Sequence, residues 1–217
     1  ARRVELIQTY RTTVITAFSF ANNPGGTITN GWRVNPSSTY MQAEYDEVRE
    51  AAEYLLTQYN GTGRKFVLQN WEGDWAFMDA FVADTSVLRE MVDRYAAFLG
   101  QRQRAVSDAR KAIASDCQIL MAVEVNRVTD AMLYPHRRRI LTDLAGRIRP
   151  DMISYSAYDS TIVDQGSWGV DIDAWTAATT PVFTKALRQI QLAFPGVPIQ
   201  IGEFGFPEGV ELPGGRD

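Results

Sequence analysis

Five runs of β-forming residues punctuate the chain, and a stretch of helical periodicity separates each from the next. The runs are TTVITAFSF (12–20), KFVLQNWE (65–72), CQILMAVEVN (117–126), DMISYSAY (151–158) and PIQIGEFG (198–205). Val, Ile, Leu, Phe and Tyr fill them with little polar alternation until their C-terminal ends, the pattern of parallel strands covered on both faces. Between them, apolar residues recur at helical spacing over 38–63, 85–115, 129–148 and 173–194. Ser and Thr capping candidates precede the first helix and a Gly follows it. Gly100 marks a break or kink in the second, Pro135 divides the third, and Pro181 restarts the fourth at a favoured first-turn position. Residues 22–38 and 159–173 read as loops.

Strict alternation of strand and helix predicts a parallel α/β architecture. A doubly wound nucleotide-binding sheet would carry a glycine-rich phosphate turn after its first strand, and no G-x-G-x-x-G or P-loop string occurs. A (β/α)8 barrel instead gathers its chemistry at the C-terminal ends of several strands. Four of the five runs end in suitable side chains: Asn70 and Glu72, Glu124 and Asn126, Tyr155 and Tyr158, then Glu203. The expected fold is therefore a (β/α)8 TIM barrel, with residues 1–217 as one catalytic domain. A whole barrel takes about 250 residues, and five strands are visible, so the expectation is an incomplete barrel holding about strands 3 to 7.

Composition narrows the picture mainly by exclusion. With 217 residues, 45% of them hydrophobic, the chain can bury one sizeable core. A net charge of −4 lacks the basic footprint of a nucleic-acid partner. The densest basic run, HRRR (136–139), falls in a helical stretch as a solvated face. No window of about 18 apolar residues suggests a membrane span. The first residues lack the apolar region of a signal peptide, which still leaves a secreted or periplasmic location open. Cys117 stands alone, and His136 is the single histidine, so neither a disulfide framework nor a Cys- or His-based metal site is available. No EF-hand-like spacing of acids appears. Lys65 opens a strand while Lys111 and Lys185 lie in helices, so Schiff-base chemistry lacks its lysine. No cofactor and no metal are expected. Asn60-Gly61-Thr62 matches a glycosylation sequon, a pattern too short to carry weight alone.

The chemistry concentrates in two glutamates. Retaining glycoside hydrolysis needs one carboxylate to attack the anomeric carbon and another to protonate the leaving oxygen and then activate water, the two roughly 5–5.5 Å apart. Glu203, set between Gly202 and Gly205, is the candidate nucleophile; the glycines let backbone and substrate come close. Its bland alternative is a carboxylate anchoring an arginine inside the barrel. Glu72, in QNWEGDWAF, is the candidate acid/base, since Trp71 and Trp75 would desolvate it and an ionised Glu203 would raise its pKa. Its bland alternative is a solvated rim residue beside Asp74. Glu124 competes for the same role. Trp32, Trp75 and Trp168 lie where a sugar ring could stack, Trp168 in SWG being the best placed.

These residues resemble those of clan A glycoside hydrolases, barrel enzymes with an acid/base glutamate on strand 4 and a nucleophile on strand 7. IQIGEFG looks like the strand-7 signature of family 5 cellulase-like members, and PDMISYSAYD looks like strand 6, whose aromatic residue hydrogen-bonds the nucleophile. Counting back from Glu203, the resemblance places Glu72 at the end of strand 4 and Glu124 on strand 5, where it would bind substrate or orient a neighbour. It further implies Tyr155 or Tyr158 as the partner of the nucleophile and Asn70 as the residue that reaches the sugar 2-hydroxyl; Asn126, at a strand end, and Trp168, after the strand-6 tyrosines, are further candidate substrate contacts by position. One departure is plain: the clan has Asn immediately before its acid/base Glu, whereas Trp71 intervenes here. The implied activity is hydrolysis of an oligosaccharide or glycoside. The alternative is a carbohydrate-binding barrel without catalysis, or an accessory domain of a larger protein.

Overall fold

A computed structural model describes residues 11–16, 37–70, 73–74, 85–133, 139–161 and 172–205. Five strands form one sheet: β1 (Thr12–Thr16), β2 (Lys65–Gln69), β3 (Gln118–Val125), β4 (Met152–Ser156) and β5 (Ile199–Glu203). They lie side by side in chain order, every neighbouring pair parallel. Among the described strands the order never reverses, so they show no topological switch point of the doubly wound kind.

The helices are α1 (Ser38–Gln58), α2 (Thr85–Ala112), α3 (Val128–Leu133), α4 (Ile140–Asp143), α5 (Tyr158–Thr161) and α6 (Ile172–Ala193). Ser37 caps α1, its Oγ accepting the Tyr40 N–H at 3.1 Å. Tyr45, Val48, Ala52, Leu55 and Leu56 make one buried stripe on α1, and Val92, Tyr95, Phe98, Leu99, Ala105, Val106 and Ala109 make another on α2. On α6, Ala186 and Ile190 play the same part, with Phe183 and Leu187 partly buried beside them. Against these stripes lie Phe66 and Leu68, Ile119, Met121, Val123 and Val125, then Ile153 and Tyr155, alternate residues of successive strands.

The opposite phase of each strand builds a second, more polar face: Val67 and Gln69, Ala122 and Glu124, Ser154 and Ser156, all buried, and Gln200, partly exposed. Gln200 Nε2 donates to Gln69 Oε1 at 3.2 Å, although their strands, β5 and β2, are three places apart. In a flat sheet that separation would be about 14 Å, three strand spacings. The sheet therefore curls on its polar side, and the five parallel strands form an open half-barrel alternating with helices.

Several elements differ from the sequence expectation. β2 ends at Gln69 rather than running to residue 72, and β4 ends at Ser156, so Tyr158 opens α5 instead of closing a strand. Gly100 does not break α2, because the buried stripe keeps its period on both sides and outweighs a glycine penalty of about 1 kcal/mol. Pro181 lies inside a continuous α6. In the turn it disturbs, the hydroxyls of Thr179 and Thr180 donate to the carbonyls of Trp175 and Thr176 at 2.8 and 2.6 Å. The stretch 129–148 holds two short helices, α3 and α4; Pro135 and His136 lie between them, outside the described residues.

Candidate functional site

The C-terminal ends of β3, β4 and β5 converge at the mouth of the half-barrel. Strict alternation would put Glu203 on the helix-facing side with Ile199 and Ile201, which pair with Ile153 and Tyr155. The register instead skips Gly202: Ile201 opposes Tyr155, and Glu203 opposes Ser156. This bulge sets two residues of β5 against one step of β4 and returns Glu203 to the concave, polar side. There the Ser156 hydroxyl donates to Glu203 Oε2 at 3.5 Å, a long bond, and Glu203 keeps partial exposure. Beyond the bulge the ladder resumes, with the Ala157 N–H donating to the Glu203 carbonyl at 2.7 Å.

Gly202 is required by its surroundings. A Cβ there would lie 2.2 Å from Ser154 Oγ, well inside contact, and 3.8 Å from Glu124 Oε1. The second figure locates a second carboxyl: Glu124, fully buried on β3, reaches to the residue just before Glu203 although their strands are two places apart.

Behind the mouth lies a framework centred on Asp74, which sequence reasoning treated only as a neighbour of Glu72. Asp74 is 1% exposed. Its Oδ2 accepts the N–H groups of Asn126 and Arg127 at 2.9 and 3.1 Å, and its Oδ1 accepts that of Ile140 at 2.7 Å. Asn126 answers by accepting the Asp74 N–H on Oδ1 at 3.1 Å. One carboxylate thus ties the segment after β2 to the loop after β3 and to the start of α4. Burial pushes the Asp74 carboxyl above the ordinary aspartate range, while the three N–H donors and the Arg139 charge pull against that rise. Arg139, itself fully buried, pairs with Asp130. No local pattern announces this role, because the partners of Asp74 lie 52 to 66 positions further along the chain.

Asn70 is similarly built in. Its Oδ1 accepts the Glu124 N–H at 3.1 Å, and its Nδ2 donates to the Tyr95 hydroxyl at 3.3 Å. Burial first, then the negative charge of Asp74, holds the Tyr95 phenol far above its usual pKa, so it serves as a neutral hydrogen-bonding group. Both asparagine side chains expected to meet substrate, Asn70 and Asn126, thus hold the loops around Glu124.

The two tyrosines separate. Tyr155 faces the helices, its ring stacked on Phe183 at 6.1 Å between centroids. Its hydroxyl donates to Asp159 Oδ1 at 2.6 Å and lies 2.8 Å from Ser160 Oγ, so the β4 hydroxyl that reaches Glu203 is that of Ser156. Asp159 also accepts the Thr129 N–H and hydroxyl, each at 2.7 Å; burial raises its pKa against these bonds. Tyr158 stands at the mouth, 39% exposed, with its ring edge 3.0 Å from where a Cβ on Gly205 would lie. Glu72, Trp32, Trp71, Trp75 and Trp168 lie outside the described residues. Among the described residues, no group of three or more His, Cys, Asp or Glu side chains is gathered as a metal site, and no helix is long and apolar enough to cross a membrane.

The arrangement offers a half-buried carboxylate with a hydroxyl at its side, a buried carboxyl beneath it and an exposed aromatic ring at the edge. Comparison with protein-family models, with curated proteins and with solved structures finds no match to this chain.

Proposed function

We propose that the chain is the catalytic part of a retaining glycoside hydrolase, and that its five strands are strands 3 to 7 of a (β/α)8 barrel. The observation that carries this reading is the bulge at Gly202, which aims Glu203 into the cleft at the strand ends where barrel chemistry is done. Glu203 attacks the anomeric carbon, and Glu72, which follows β2 in the sequence three strands before β5, protonates the departing oxygen and later draws a proton from water. Glu124, whose carboxyl approaches Gly202, is the competing acid/base. Tyr158 supplies a ring against which a sugar can lie.

An activated fluoro-glycoside tests the assignment on the full chain. It should label Glu203 covalently, and Glu203→Gln should remove both label and turnover. Replacing the true acid/base, Glu72 or Glu124, by Gln should lower turnover by about 100-fold on substrates with poor leaving groups. The same variant should spare activated aryl glycosides and recover rate with added azide. A label on any other residue overturns the scheme. The engagement of Asn70 by Tyr95 and by the Glu124 N–H favours one other reading, a carbohydrate-binding barrel, whose signature is saturable oligosaccharide binding without turnover.

A further inference from the structure

The turn joining α1 to β2 brings together the parts of a covalent reaction. Asn60 and Gly61 follow the last residues of α1, and both are exposed. Gly61 has φ +83°, a left-handed conformation that favours glycine, and without a Cβ its nitrogen is the least obstructed of backbone nucleophiles. That nitrogen lies 3.1 Å from Asn60 Oδ1. Asp116, just ahead of β3, holds both reacting groups. Its Oδ1 accepts the Gly61 N–H at 2.6 Å, and its own N–H donates to Asn60 Oδ1 at 3.2 Å. Its second oxygen is fixed by the Gly63 N–H at 2.9 Å.

We propose that Asn60 is a self-modification site at which Asp116 promotes closure of Asn60-Gly61 to a succinimide. The Gly61 nitrogen attacks the Asn60 side-chain carbonyl carbon and passes its proton to the Asp116 carboxylate. The Cγ–Nδ2 bond breaks, and the departing amine takes that proton and leaves as ammonia. Water then opens the imide at either carbonyl, giving aspartate or isoaspartate at position 60; nothing is oxidised or reduced. The base is already within hydrogen-bond reach of the proton it removes. The Asp116 N–H faces the oxygen on which negative charge gathers during addition, an oxyanion donor in miniature. Exposure of Asn60 gives ammonia and water free passage. The site lies at the N-terminal ends of β2 and β3, away from the Glu203 mouth, so modification alters the joint between two strands and leaves the cleft's groups intact.

Ageing the full chain at neutral pH, folded and in guanidinium, with peptide mapping for isoaspartate, tests this. Conversion at Asn60, read as a gain of about 1 Da when NH2 becomes OH, should run faster in the folded chain than in the denatured one. There Asn30-Gly31, the same dipeptide, supplies the intrinsic rate. Asp116→Asn keeps the backbone N–H but lacks the base, and should slow the folded reaction by about 100-fold, the lower end of what a positioned base supplies. Asn60→Gln should abolish the signal at that peptide. A folded chain that ages no faster than the denatured one overturns the proposal, as does an unchanged rate in folded Asp116→Asn. If Asp116→Asn does not fold, the comparison of folded and denatured wild type decides alone.

Discussion

At Gly202 a hydrogen atom stands where any other residue would press a carbon onto Ser154 Oγ. Gly202→Ala should therefore force the bulge or Ser154 to move, at a cost of about 1–3 kcal/mol as an overpacked site. The measurement is the urea midpoint, and an unchanged midpoint would mean that β5 does not skip Gly202. The same variant should weaken fluoro-glycoside labelling, because Glu203 owes its direction to that skip. Sequence reasoning singled out Glu203 and its flanking glycines but could not see how the residue is aimed. Period-two alternation places Ile199, Ile201 and Glu203 on one face, and only the spacing of the partner strand, Tyr155 to Ser156 against Ile201 to Glu203, reveals the extra residue. Tyr155 shows the converse. As a strand-end aromatic it reads as a ligand contact, whereas its phase on β4 sends it to Phe183 and the helices.

Among the elements, strands and long helices were legible because their apolar runs and stripes are long. What stayed hidden were the ties between loops, since a polar residue gives no periodicity to read. Asp74 joins three of these segments. Asp74→Ala would strand three N–H groups, two buried and one partly buried, and should lower stability by about 2–3 kcal/mol at roughly 1 kcal/mol each, seen in urea denaturation. Its ionisation adds a signed pH effect. Because the folded-state pKa of Asp74 is raised, its contribution to stability is complete below the unfolded aspartate value of about 3.9 and is lost as pH rises through the folded value. Asp159 acts in the same direction. The stability difference between wild type and Asp74→Asn should thus widen in favour of wild type as pH falls towards the unfolded aspartate value of about 3.9. A gap that narrows with acid would contradict the assignment. Gly100 and Pro181, read as interruptions, failed as local signals because burial along α2 and α6 holds both helices together.

Over the whole molecule, β1 and β5 are the outer strands of the described sheet, and each pairs on one side only. Ile201 and Phe204 on or beside β5 are 40% and 68% exposed, an apolar stretch at a strand edge of the kind that recruits other strands. Ile201→Lys should suppress concentration-dependent light scattering several-fold while leaving the circular dichroism spectrum unchanged; equal scattering would show that this edge is not the sticky one. The curl itself was only partly readable: alternation of strands and helices points to a barrel, but the meeting of Gln69 with Gln200 is invisible in either strand alone. That meeting has a kinetic consequence. The two glutamines are 131 positions apart in the chain, so their bond can form only after the intervening strands and helices have gathered. Entropy must be given up over that whole distance before the contact returns anything, which makes it a late event in assembly. The cleft therefore comes into existence near the end of the folding route, and a chain stalled earlier can hold every helix yet have no place for a ligand.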